Sequence, residues 1–155
     1  MAYCKLSSGE MLRDGRYVVP ARAFTFDALA DIYNQARVDY IVPMPMNGKR
    51  MAEYVQYYDV SLDGSFVAFN GEQLETGIGM LGLRGRRGWI TRLGVLPDRR
   101  EKHIGSYLME SMIEYAISTG VTLMQLEVIL GNTPAHRLFL KLGFEVVGEL
   151  LVVRR

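Results

Sequence analysis

The residues best suited to chemistry lie at one junction of the chain. Residues 97–105 read Pro-Asp-Arg-Arg-Glu-Lys-His-Ile-Gly, and an apolar helical pattern, SYLMESMIEYAISTG, follows. A helix N-terminus carries about half a positive charge and several unpaired backbone N–H groups. Such an end binds phosphate when the chain wraps close to it. Arg99, Arg100 and Lys102 add side-chain charge there, and Gly105 permits close backbone approach. Taken alone, the segment reads more readily as a solvated turn than as a phosphate cradle, because short basic motifs match often by chance.

Composition narrows the other chemistries. Cys4 is the only cysteine, which excludes an internal disulfide and a cysteine-based zinc cluster, and no metal site is expected. A chain of 155 residues with 49% hydrophobic and 23% charged residues is an ordinary single globular domain. The formal charge of +1 gives no global field for nucleic acid or an anionic membrane. No apolar run approaches the ~18 residues of a membrane span, and MAYCKLSSGE lacks the apolar core of a signal peptide. A cytoplasmic protein without a membrane partner is expected.

The elements that would position the junction follow from periodicity. Residues 1–15 form an arm, and residues 16–155 a single domain. Arg16–Phe24 reads as an edge strand interrupted by Pro20. Thr25 caps a helix carrying Phe26, Leu29, Ile32, Tyr33 and Ala36, and Asn47 caps a second with Met51, Tyr54, Val55 and Tyr58. Strands are expected over Ser65–Asn70, Leu74–Leu83 and Trp89–Val95. A helix from about Gly105 ends at Gly120, and Val121–Leu130 is strand-like. Thr133-Pro134 opens a last helix, Gly143 closes it, and Phe144–Val153 makes a final strand. The order β-α-α-β-β-β-α-β-α-β predicts an α/β (α+β) domain, a mixed sheet flanked by helices, with one parallel crossover over 89–130.

The segment GWITRLGVLPDRREKHIGSYLMESM resembles the signature of the GCN5-related N-acetyltransferases (GNAT), whose acyl-CoA loop runs Arg/Gln-x-x-Gly-x-Gly/Ala after a strand ending in Val-x-Pro. Arg100 and Gly105 match its ends, and His103 replaces its first glycine. Downstream, LEVILGNTPAHRLFLKLGF looks like the family's strand–Asn–helix–Lys-x-Gly-Phe element, and NGEQLETGIGMLGL resembles part of its central hairpin. The resemblance covers about residues 16–150 and implies the GNAT fold, a mostly antiparallel mixed sheet, here without room for the usual seventh strand.

The resemblance also implies roles. The CoA pyrophosphate would lie on the backbone of Arg100, Glu101, Lys102, His103, Ile104, Gly105 and Ser106, with Arg99, Arg100 and Lys102 near the adenosine phosphates. Leu93, Gly94 and Val95 would pair with the pantetheine arm and hold the acyl carbonyl. Asn132 would contact pantetheine or the amine, or serve as a turn residue at the head of the last helix. Glu127 occupies the strand position of the general base in relatives that acetylate ribosomal-protein N-termini, and burial among apolar neighbours would suit it to that task; it would otherwise be a structural carboxylate paired with a basic neighbour. Phe139, placed beside the cosubstrate, stands where a tyrosine usually acts as acid and cannot donate a proton. Tyr107 lies near the loop but reads as a helix-packing aromatic.

The function implied is transfer of an acetyl group from acetyl-CoA to a primary amine, on a small molecule or a peptide N-terminus. The alternative is a non-catalytic CoA-binding domain with a regulatory or structural role. Around the acceptor, Tyr40, Pro43, Met44, Pro45, Met46, Tyr54, Tyr57 and Tyr58 suggest an apolar, aromatic wall, and a strongly cationic acceptor is disfavoured. The last strand would leave an apolar edge for a tandem GNAT partner domain, the N-terminal arm or a second subunit to cover. Nucleic acid is not an expected partner, since no interleaved aromatic platform accompanies the arginines.

Overall fold

The computed structural model describes residues 15–37, 45–97 and 103–151. Five strands form one sheet in sequence order: β1 (Tyr17–Pro20), β2 (Val60–Phe69), β3 (Glu75–Arg84), β4 (Arg87–Val95) and β5 (Leu123–Leu126). The first four pair antiparallel, and β4 pairs with β5 in parallel across α3 (Ile104–Ser118). A parallel neighbour needs a crossover of at least a dozen residues, which this helix supplies. The remaining helices are α1 (Phe26–Ala36), α2 (Gly48–Tyr57) and α4 (Thr133–Lys141).

The caps follow local chemistry. The Thr25 hydroxyl accepts from the Ala28 N–H at 3.1 Å, and the Asn47 amide oxygen accepts from that of Arg50 at 2.8 Å. Each satisfies a donor that the first helical turn leaves unpaired. At α4 the cap is Asn132 rather than Thr133, and Pro134 sits one place deeper in the first turn.

Alternation along the strands builds two cores. Val67, Ile78 and Met80 pack with Leu29, Tyr33, Met51 and Tyr54 under α1 and α2. Phe66, Leu81 and Ile90 pack with Leu108, Met109 and Met112 of α3 and with Phe139 of α4. Each central strand is therefore buried on both faces.

Four expectations change. The first strand is shorter, because the chain turns into a 3-10 helix at Ala21–Ala23. β2 begins earlier, at Val60, because pairing with β3 resumes on the near side of a register irregularity between Ser61 and Phe66. β5 stops at Leu126, where its pairing with β4 ends at Ile90. Residues 144–151 form no strand: Val146, Val147, Leu150 and Leu151 are exposed, and among the described residues no neighbouring strand receives their backbone groups. Among the described residues no helix is long and apolar enough to cross a membrane.

Candidate active site

The strand that carries the site bends where it leaves β5. Between the pairs Leu81–Ile90 and Met80–Arg92 the register of β3 and β4 slips by one residue, so Thr91 is the extra residue of a β-bulge. A bulge re-aims side chains and ends regular pairing. Beyond it, Leu93 and Gly94 stay paired with β3, whereas β5 has already ended. A gap therefore opens between the C-terminal half of β4 and the segment following Leu126. Leu93 and Val95 pack against the α3 core, as their place along the strand requires.

The bulge is anchored from α2. The buried Tyr54 hydroxyl hydrogen-bonds the Thr91 hydroxyl, which itself donates to the Met80 carbonyl at 3.2 Å. Arg92 lies over the Tyr54 ring at 5.1 Å and donates to the Thr91 carbonyl at 2.8 Å. Burial pushes the Tyr54 phenol well above its usual range, opposed in part by the Thr91 hydrogen bond and the Arg92 charge. In the unfolded chain a tyrosine ionises near pH 10. Neutral Tyr54 therefore contributes stability that is fully present below about pH 10 and is lost as pH rises beyond it. Tyr54→Phe is expected to lower stability by about 1 kcal/mol at neutral pH. It should also flatten the decline above pH 10, as denaturant melts between pH 8 and 11 would show; an unchanged alkaline slope would refute the assignment.

On the α2 face, a cavity of about 370 Å³ lies where β4 and β5 begin to part, walled by Tyr58, Trp89, Gln125, Glu127 and two arginines, Arg84 and Arg87. Tyr58 meets the Trp89 ring edge-on, with centroids 5.3 Å apart, and is linked through Tyr54 to the bulge. Glu127 is exposed in this cavity. The expected burial among apolar neighbours is absent, because β5 ends one residue earlier and Glu127 faces open space. Nor is it a paired structural carboxylate: among the described residues it has no hydrogen-bond or ion-pair partner.

At the other end of the gap, His103 occupies the cap position of α3 with φ 73°, the left-handed region that favours glycine. Its side chain makes no capping bond, but its carbonyl accepts the first helical hydrogen bond from Tyr107 at 2.8 Å. Ile104 is buried in the α3 core, and Ser106 is half-buried. Gly105 has a second reason for its small size: a Cβ there would stand 3.2 Å from Leu138 of α4. Arg99, Arg100, Glu101 and Lys102 lie outside the described residues, as do Tyr40, Pro43 and Met44. Asn132 accepts from the Ala135 N–H at 3.4 Å through its side-chain oxygen, which leaves its amide N–H₂ free to donate. It is both turn residue and candidate ligand.

Phe139 is 8% exposed, packed in the α3 core with its ring 6.2 Å from that of Phe144. Tyr107, 6% exposed, is a packing aromatic of the same core. Met46 is held by two hydrogen bonds with the Asn34 amide and ties α2 to α1, so it serves the scaffold. Trp89 and Gln125 were not singled out by residue type, and Arg87 only as one of the basic residues weighed for nucleic-acid binding. The available signal was the chain's only tryptophan, standing on a strand directly after the Arg-rich turn.

This arrangement has counterparts. The profile of the Acetyltransferase (GNAT) family matches residues 26–144. The chain belongs to this family. The family is one of acetyltransferases. The fold is similar to that of the ribosomal-protein-S18-alanine N-acetyltransferase from Escherichia coli, with TM-score 0.68 and 20% identity over 84% of this chain and 77% of that one. It is equally similar to yncA, a putative acetyltransferase from Salmonella typhimurium solved with its cofactor acetyl-CoA (TM-score 0.68, 21% identity, 86% and 82% coverage). Naa50 from Arabidopsis thaliana, in complex with the bisubstrate analogue CoA-Ac-MVNAL, gives TM-score 0.66 at 21% identity, with 86% and 85% coverage. Among curated proteins no significant match is found.

Proposed function

We propose that this GNAT protein transfers the acetyl group of acetyl-CoA to a primary amine, of a small molecule or a peptide N-terminus, by direct attack on the thioester. The observation that carries this reading is the unpaired Glu127 carboxylate, exposed where β4 and β5 part. The residues present suit the cosubstrate. The gap beside Leu93 and Gly94 leaves strand backbone for a pantetheine arm, and the Asn132 amide has spare donors at the head of α4. His103, Ile104, Gly105 and Ser106 begin α3, with Arg100, Glu101 and Lys102 just ahead in sequence, where a pyrophosphate is favoured.

Acetyl-CoA supplies the carbonyl that the amine attacks. Glu127 takes a proton from the bound ammonium and frees the lone pair that attacks. As the new C–N bond forms the C–S bond breaks with the electron pair leaving on sulfur, and the second N–H proton passes to water. The backbone N–H of Leu93, in a pair that does not hydrogen-bond to β3, stabilises the oxygen on which charge develops. Phe139 contributes no proton, so the thiolate leaves unassisted by α4 and is protonated from water. Calorimetric titration with acetyl-CoA, followed by CoA release with a panel of amines, tests the reading; absence of binding would refute it.

Phe139 favours a second reading, a domain that binds CoA without turnover. Tight acetyl-CoA binding with no CoA release for any amine would establish it instead.

His103 bears on affinity in either case. Left-handed geometry costs a residue with a Cβ roughly 1 kcal/mol. His103→Gly is expected to bind acyl-CoA severalfold more tightly by removing the ring from the loop. An unmoved Kd in calorimetry would deny His103 any special role. The open edge of β5 and the exposed Leu130, Val146 and Leu150 favour cover by a second copy of the chain; a strict monomer in light scattering would remove that part of the reading.

A further inference from the structure

The acceptor cavity holds two opposite charges that do not neutralise each other. Arg84 is committed: its Nε donates to Asp59 at 2.6 Å, and its Nη2 to the Tyr57 carbonyl at 3.4 Å. Arg87 has no hydrogen-bond or ion-pair partner among the described residues, and neither has Glu127. The register explains why they stay apart. Arg87 stands opposite Leu123, and Trp89 opposite Gln125, so Glu127, one residue past the end of β5, lies four positions beyond the partner of Arg87. At about 3.3 Å per residue the two Cα atoms are offset by roughly 13 Å along the strands. The Trp89 ring and the Gln125 amide occupy the wall between them.

The floor permits this spacing. Gly82 pairs with Trp89, and a Cβ at Gly82 would come 2.7 Å from the Tyr58 carbonyl. Bare backbone there lets the end of α2 close down on β3, which sets Tyr58 against Trp89. The cavity is thus an apolar, aromatic strip with an anionic side chain at one end and a guanidinium at the other.

We propose that the acceptor carries an anionic group several atoms from its reactive amine: the amine is drawn to Glu127, the body of the acceptor lies on Trp89 and Tyr58, and Arg87 receives the carboxylate. This rests on the acetyltransferase reading and names its substrate class, a short peptide with a free N-terminus and a carboxylate beyond its first residue, or an ω-amino acid. A free α-amino acid, with both groups on one carbon, spans too little of the strip. The two-donor fork of arginine suits a carboxylate better than a lysine ammonium would.

The test compares acetylation of an aromatic dipeptide with a free C-terminal carboxylate and of the same dipeptide as its C-terminal amide. The native protein is expected to prefer the acid at least tenfold in kcat/KM, chiefly through KM. Arg87→Ala should bring that ratio to about one, and Arg87→Lys should restore part of it. Arg87 is exposed, so thermal melts of the variants should match the native one. Equal use of acid and amide by the native protein, with turnover intact, would overturn this inference and leave the acetyltransferase reading standing. Should no amine be turned over, NMR titration of the same two dipeptides against native protein and Arg87→Ala decides it: a preference for the acid that Arg87→Ala abolishes supports the site, and equal binding overturns it.

Discussion

Glu127→Gln is expected to lower kcat/KM for amine acetylation by about 10²- to 10⁴-fold at neutral pH, the range for removing a general base. The amide keeps the size of the side chain and its place in the cavity, so acyl-CoA binding and the melting temperature should both be retained. An exposed side chain with no partner contributes little to folding, and surface changes of this kind usually stay within about 0.5 kcal/mol. The loss should shrink as pH rises, because an amine that is already deprotonated in solution needs no base to free its lone pair. Assaying native and variant protein side by side from pH 6.5 to 9.5 would reveal this convergence. Activity within threefold of native across that range would mean that the proton leaves by another route.

The second large effect concerns the scaffold beneath the gap. Leu108→Ala is expected to destabilise the protein by about 2–5 kcal/mol. Leu108 is fully buried in α3, and the sheet surface it meets is bare backbone: a Cβ at Gly77 would stand 3.0 Å from Leu108 Cδ1, and one at Gly79 3.7 Å from Leu108 Cβ. Glycines paired in a central strand have no side chains with which to fill the space. The cavity left by alanine therefore persists, which places the cost toward the upper part of the range. For a chain of this size each kcal/mol lowers Tm by roughly 2–4 °C, so a drop of about 10 °C is expected. Leu123→Ala, on the exposed edge of β5, serves as the control and should melt within about 2 °C of native. A Leu108→Ala protein melting that close to native would contradict the packing.

What was legible in the residues had a short range. Thr25 and Asn47 cap helices because each accepts from an N–H three residues on, and the apolar stripes of α1 and α3 repeat every three or four positions. The loop motif and the Asn132 element could be matched in order, and with them the family. The last strand was misread because alternation in FEVVGELLV marks strand-forming capacity, while a strand also needs a neighbour to receive its hydrogen bonds. Glu127 was nominated from its place in a motif, but its surroundings were misjudged, since the point where β5 parts from β4 depends on a bulge in another strand.

By itself, then, the sequence determined the helices, the order of the elements up to α4 and the family, and it nominated Glu127 as the carboxylate. These rest on chemistry within a few residues or on ordered motifs. Only the tertiary structure decided that Glu127 stands unpaired in an open cavity, that Tyr54 reaches across 37 residues to hold the bulge, that Phe139 belongs to the core, and that Arg87 faces the same strip as Glu127. All but the placement of Phe139, which α4 sets, depend on strand register, and a slip of one residue turns a side chain to the opposite face of the sheet. Register is settled by how the whole sheet packs between its helices, which no local stretch of residues encodes.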